Sequence, residues 1–247
     1  MCLHGFMDSW RSWGLVLPAL ERHCDVLALT LPGHAGGPPL GADAGVEQLV
    51  DQLEQAIDRA GIGTAHLCGN SLGAYLALKL AERGRALSVV ALAPVGGGAS
   101  GDHSYEDLLA RQRTVYEEIS TNTAVALGSL ATVVGRRRAT ELITTNFEHI
   151  PRELLEAQTL AVAGCTAAPM MIESALRDGW PLDASRVRCP VRIVWGTADK
   201  LLPWPAAAAR FREELWHADW VVLDGIGHCP QLDVPVETAQ LIVGFGA

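Results

Sequence analysis

The sequence predicts an α/β fold, a mostly parallel sheet wrapped by helices, with an inserted helical segment. Three observations predict it. Short apolar runs of strand length alternate with segments of helical period, which implies parallel strands joined by crossover helices. One run, Thr64 to Cys68, leads through Gly69-Asn70-Ser71-Leu72-Gly73 into the apolar helical run Ala74 to Ala81. The alternation then stops between Ala99 and Arg186 and resumes at Val191. These breaks divide the chain into a discontinuous core, residues 1–98 and 186–247, and an insert, residues 99–185.

Taken in order, Met1-Cys2-Leu3 is a short apolar segment ending on His4-Gly5-Phe6. Cys24 to Leu29 reads as a buried strand, and Leu31-Pro32-Gly33-His34 leaves it as a turn. Ala35 to Gly45 is a glycine- and proline-rich loop. Val46, Leu49, Val50, Leu53, Ile57 and Ala60 recur at helical spacing, with Glu47, Asp51, Glu54 and Asp58 on the other side, and Gly61 stops that helix. Leu87 to Ala93 is a further strand, closed by Pro94. Within the insert we expect four helices, near Tyr105–Ile119, Thr123–Ile143, Arg152–Ala163 and Met170–Asp178. Val191 to Trp195 returns to the sheet. Pro205 to His217 reads as a helix with proline in its first turn, Asp219 to Leu223 as the last strand and Pro235 to Phe245 as the closing helix.

G-x-S-x-G between a strand and a helix is the pattern of a nucleophile elbow. The serine sits at a tight reversal with its backbone forced toward positive φ, and the flanking glycines let strand and helix approach without Cβ clashes. Its hydroxyl stands above the sheet, and the helix N-terminus offers free N–H groups to a developing negative charge. Two further strand ends bear the matching chemistry. Val191–Trp195 runs into Gly196-Thr197-Ala198-Asp199, and the last strand runs into Gly225-Ile226-Gly227-His228. Nucleophile, acid and base thus fall in the order Ser71, Asp199, His228. Asp102, after the preceding strand, is the alternative acid.

On these residues the chain resembles the α/β-hydrolases along nearly its whole length, with small bacterial esterases, haloperoxidase-like enzymes and carbon–carbon bond hydrolases nearest. The resemblance implies Ser71 as nucleophile, His228 as general base and Asp199 as its carboxylate partner. It implies an oxyanion hole from the backbone N–H groups of Phe6 and Leu72, with His4 bracing the loop that bears Phe6. The insert becomes a lid, with Met170 and Met171 among the residues expected to line a substrate pocket. Relatives with the His4-Gly5 motif usually have two more strands before it, so a segment ahead of Met1 is expected. Dehalogenases and epoxide hydrolases of this fold use aspartate at the elbow, so serine at position 71 favours acyl transfer. The expected activity is hydrolysis of small apolar carboxylic esters or lactones. A carbon–carbon hydrolase of vinylogous diketone acids and a ligand sensor on a hydrolase scaffold are the alternatives.

Composition sets limits on partners. The 247 residues are 49% hydrophobic, enough for a sizeable core. A formal net charge of −9 argues against phosphate-backbone binding to nucleic acid. Arg136-Arg137-Arg138 reads as a solvated helix end. The six cysteines show no C-x-x-C spacing, and no clustered ligands suggest a metal, so neither metal nor cofactor is expected. Cys24 and Cys68 read as strand residues, and Cys229, beside His228, as the cysteine most open to modification. A small-molecule substrate, no membrane and a cytoplasmic location are expected.

Overall fold

The computed structural model describes residues 1–41, 45–99 and 104–246. Its elements run β1 (Cys2–Leu3), a 3-10 turn at Trp10–Trp13, α1 (Leu17–Leu20), β2 (Ala28–Leu29), α2 (Val46–Arg59), β3 (Ala65–Asn70), α3 (Leu72–Glu82) and β4 (Ala86–Leu92). Between β4 and the next strand lie α4 (Ser104–Thr121), α5 (Thr123–Ser129), α6 (Val133–Thr140), α7 (Arg152–Ala163) and α8 (Ala168–Asp178). The chain closes with β5 (Val191–Gly196), α9 (Ala209–Glu214), β6 (Asp219–Leu223), α10 (Pro230–Asp233) and α11 (Pro235–Gly246).

Among the described residues six strands pair in parallel in the order β2-β1-β3-β4-β5-β6. Parallel strands show alternate residues to opposite faces, and both faces must be covered. Leu67, Val89, Ala91, Ile193 and Trp195 pack on one side with residues of α2, α3 and α9. Cys68, Val90, Leu92 and Val194 pack on the other with residues of α1 and α11. Because every strand runs the same way, the loops after β1, β3, β5 and β6 leave the same edge of the sheet. In open parallel sheets that edge is where ligands bind.

The helix α3 is buried from Leu72 to Ala81, which explains its lack of an amphipathic pattern. Lys79 tolerates this burial by bonding Glu82 at 2.8 Å and Glu47 at 3.0 Å.

Three expectations need correction. The second strand is two residues long, because it lies at the sheet edge and pairs only with the equally short β1; Cys24 is therefore exposed and outside any strand. The expected helix Thr123–Ile143 is two helices, with Thr132 capping the second by accepting from the Gly135 N–H at 3.0 Å. The segment after Pro205 is a 3-10 turn, Ala206–Ala208, followed by only six α-helical residues. Among the described residues no single helix is long and apolar enough to cross a membrane.

Candidate active site

The turn at Ser71 is where the backbone departs most usefully from regular structure. Ser71 has φ 54° and ψ −114° between β3 and α3. A Cβ on Gly69 would lie 2.2 Å from the Gly73 carbonyl oxygen, and one on Gly73 would lie 2.2 Å from the Leu3 oxygen. Only glycine permits β1, β3 and α3 to meet this closely, so both motif glycines are explained by contact distances.

On the opposite side of the turn, Asp199 and His228 are both buried. Asp199 Oδ1 accepts from the N–H groups of Leu201 at 2.9 Å and Leu202 at 2.8 Å. Its Oδ2 lies 2.7 Å from His228 Nδ1. A carboxylate can only accept, so Nδ1 bears a proton and donates it to Asp199, which leaves Nε2 outside that bond. Ser71 Oγ and His228 Nε2 form no hydrogen bond in this structure, a gap common in ligand-free hydrolytic sites, where catalytic bonds tighten on substrate binding.

Two residues that sequence reasoning missed hold these parts in place. The Asn70 amide donates to the His228 carbonyl at 3.0 Å and to the Leu92 carbonyl at 3.3 Å. Its oxygen accepts from Gln231 Nε2 at 3.1 Å. The residue before the serine therefore ties the elbow to the histidine loop. Asp233 does the same between that loop and the insert, accepting from Gly227 N–H at 2.7 Å and from the Thr145 and Asn146 N–H groups at 2.8 Å each.

The loop after β1 is held by His4. Its Nε2 accepts from the Leu31 N–H at 2.9 Å, which leaves Nδ1 to donate to the Gly5 carbonyl at 2.7 Å. Burial holds the His4 ring well below the ordinary histidine pKa, and His34, ring to ring at 5.0 Å, pushes the same way. Gly5 is close to the serine, for a Cβ there would lie 3.5 Å from Ser71 Cβ. Among the described residues neither the Phe6 nor the Leu72 N–H donates to another backbone group. Asp8, further along the same loop, is pushed up to about 6 by burial, against the N–H of Ser9 bonded to it at 2.8 Å.

A cavity adjoins Ser71. Phe6, Ser71, Leu72 and Val95 wall it from the core. On the insert side α4 lines it with Tyr105, Leu108, Leu109 and Gln112, a stripe at helical spacing, and α8 with Met171, Ile172, Ser174 and Ala175. Trp180 completes that wall, and among the described residues no charged side chain lines the cavity. Met171 is placed at the cavity as expected. Met170 is not, because one residue turns the helix by about 100° and carries it off the lining face. Asp102 lies outside the described residues. Cys229 corrects its expectation: the thiol is buried against Asn70 Oδ1 at 3.4 Å, and burial raises its pKa well above the ordinary value, so it is a poor nucleophile.

Comparison with known proteins agrees with this architecture. The chain is 27% identical over 198 residues to epoxide hydrolase EphH of Mycobacterium tuberculosis, covering 80% of this chain and 92% of that protein. It is 26% identical over 251 residues to the pimeloyl-[acyl-carrier protein] methyl ester esterase of Aromatoleum aromaticum, covering 97% and 94%. Among solved structures it is similar to a bacterial membrane phospholipase A, with TM-score 0.79 and 21% identity over 99% of this chain and 76% of that one. The family model for the alpha/beta hydrolases matches residues 1–241, and the chain belongs to that family.

Proposed function

We propose that the chain is a serine hydrolase of neutral, apolar carboxylic esters or lactones, working through an acyl-enzyme on Ser71. The observation that carries this reading is the bond between Asp199 and His228, held behind a serine at a strained strand-to-helix turn. A serine hydroxyl is too weak an acid to attack unaided. His228 Nε2 takes its proton as Oγ adds to the carbonyl, and Asp199 stabilises the imidazolium that results. The Phe6 and Leu72 N–H groups receive the carbonyl oxygen as it becomes negative. His228 then protonates the departing alkoxide, and a water activated by the same nitrogen hydrolyses the acyl-enzyme. Residues 99–185 act as the lid, because α4 and α8 supply one apolar wall of the cavity, facing Phe6, Leu72 and Val95.

The name of the epoxide hydrolase relative does not transfer readily, since this chain offers a hydroxyl and not a carboxylate at the elbow. Carbon–carbon hydrolysis of vinylogous diketone acids would share the triad. Its substrate bears a carboxylate, however, which would enter a cavity that among the described residues has no cationic lining side chain to meet it. The test is labelling with a fluorophosphonate followed by intact-mass measurement. One adduct is expected, absent in Ser71→Ala; an adduct that persists in that variant places the nucleophile elsewhere.

A further inference from the structure

The cavity is not uniformly apolar. Tyr105 and Trp180 both line it, and their rings meet edge to face with centroids 5.7 Å apart. The Tyr105 hydroxyl and the Trp180 indole nitrogen are buried within reach of one another, and among the described residues neither has a hydrogen-bond partner of good geometry. Buried polar groups are almost always paired, so each such atom calls for a reason. Other unpartnered atoms exist, Trp13 Nε1 and Thr238 Oγ1 among them, but these belong to residues away from the cavity. The same residue types close by are satisfied. The Tyr75 hydroxyl donates to the Pro181 carbonyl at 2.5 Å, and Trp195 Nε1 donates to the Leu202 carbonyl at 2.9 Å.

Trp180 is nevertheless held firmly. Its carbonyl accepts from Arg210 at 3.0 Å, its ring stands edge to face on Tyr75 at 4.9 Å, and a Cβ on Gly96 would lie 2.5 Å from the Trp180 Cβ. Backbone on both sides of the tryptophan is fixed while its N–H has only the poorly aligned Tyr105 oxygen within reach. A rigidly placed donor held in a poor bond beside an apolar cavity is a preorganised recognition group.

We propose that Tyr105 and Trp180 form a hydrogen-bonding station in the acyl pocket. The substrate is then a neutral ester or lactone whose acyl chain bears an oxo or ether oxygen beyond the scissile carbonyl. This rests on the serine-hydrolase reading and narrows it. The indole N–H and the phenol O–H both donate to that oxygen, while the aliphatic part of the chain lies along the α4 and α8 stripes. Among the described residues the lining beside Ser71 holds no charged side chain, so a charged group there is disfavoured.

The experiment compares p-nitrophenyl hexanoate and heptanoate with 5-oxohexanoate and 6-oxoheptanoate esters, and with the anionic p-nitrophenyl adipate monoester. For the wild-type enzyme we expect at least one oxo ester to exceed its plain counterpart in kcat/KM by about tenfold, equivalent to about 1.4 kcal/mol, and the adipate monoester to fall below the plain esters. In Tyr105→Phe and in Trp180→Phe the oxo-to-plain ratio, taken within each variant, is expected to fall to about twofold or less. A wild-type enzyme with no oxo preference overturns the proposal, as does a preference that both variants retain. Equal hydrolysis of all the neutral esters together with labelled Ser71 removes this inference alone. No ester turnover together with an unlabelled Ser71 removes the serine-hydrolase reading beneath it.

Discussion

The loop after β1 and the loop after β6 each bring a buried histidine to the edge of the sheet near Ser71, and the two rings are used in opposite ways. His4 spends both nitrogens on backbone, one accepting from Leu31 N–H and one donating to the Gly5 carbonyl. His228 spends only Nδ1, on the Asp199 carboxylate. Among the described residues its other nitrogen has no hydrogen-bond partner. A ring with both nitrogens committed to amides has nothing left for proton transfer and serves as a strut. A ring with a carboxylate behind it and a nitrogen in front suits the proton transfer proposed for it. Burial alone does not separate them, since both are nearly inaccessible; partner chemistry does.

The comparison is broken most severely by exchanging the roles. Removing the proposed proton-transfer group in His228→Ala, or the proposed nucleophile in Ser71→Ala, is expected to lower kcat on activated esters by on the order of 10⁶-fold, with the fold retained by circular dichroism. If His228→Ala keeps substantial turnover, the proton is handled elsewhere. The partner acid comes next. Asp199→Asn keeps the hydrogen-bonding shape but supports the wrong tautomer, so turnover is expected to fall by on the order of 10⁴-fold. Near-normal turnover in that variant, with loss in Asp102→Asn, would move the acid to the other position.

How far these roles were legible in the sequence follows from the range of the forces involved. The strands β3, β4, β5 and β6 and the turn at Ser71 announce themselves because apolar runs, glycines and strand ends are local patterns. Ser71, Asp199 and His228 each stand just after such a run. Asn70 and Asp233 left no comparable trace. Asn70 reaches the His228 carbonyl 158 residues away and Asp233 the Thr145 N–H 88 residues away, and nothing local distinguishes them from surface amides or acids. The division of α5 from α6, and the register that puts Met171 and not Met170 at the cavity, depend on packing between insert helices. Cys229 was misread for the same reason: it is buried in a cluster with the insert residues Leu130, Phe147 and Leu155, with Asn70 against its thiol.

A smaller effect sharpens the contrast. His4→Gln removes two bonds to buried backbone groups, so a loss of about 2–4 kcal/mol of stability at neutral pH is expected. If the strut positions the Phe6 N–H, kcat falls by on the order of 10²-fold, the scale of one lost oxyanion donor, while Ser71 still accepts a fluorophosphonate. The pH dependence gives a second readout. The folded state holds His4 well below the ordinary histidine pKa, so the unfolded state binds the extra proton first. The stabilisation His4 supplies is therefore fully present above the unfolded histidine pKa, about 6.5, and is lost as pH falls below it. The stability difference between wild type and His4→Gln, measured by urea unfolding, should shrink from pH 7 to pH 5. A difference that does not change with pH would mean His4 is not held neutral.

The smallest expected effect comes from the same loop and runs in the opposite direction. Asp8 is pushed up to about 6 by burial, and its contacts, Ser9 N–H at 2.8 Å and the Gln158 amide at 3.4 Å, do not offset that. Here the folded state binds the proton more tightly than the unfolded chain does. The stability it contributes is complete below the unfolded aspartate pKa, about 3.9, and is lost as pH rises through about 6. At neutral pH the molecule thus keeps an unfavourable, partly buried carboxylate. Asp8→Asn retains the size and one acceptor oxygen without the charge, and is expected to be more stable than wild type at pH 7.5 by on the order of 2 kcal/mol. The advantage should fade toward pH 4.5, where wild-type Asp8 is itself mostly neutral when folded. Because His4 and Asp8 act with opposite sign over overlapping pH ranges, the two variants are to be measured as difference curves against wild type. An Asp8→Asn variant less stable than wild type at pH 7.5 would show that the carboxylate is paired and charged in the folded state, and the loop after β1 would then hold a favourable ion where this reading places a strained one.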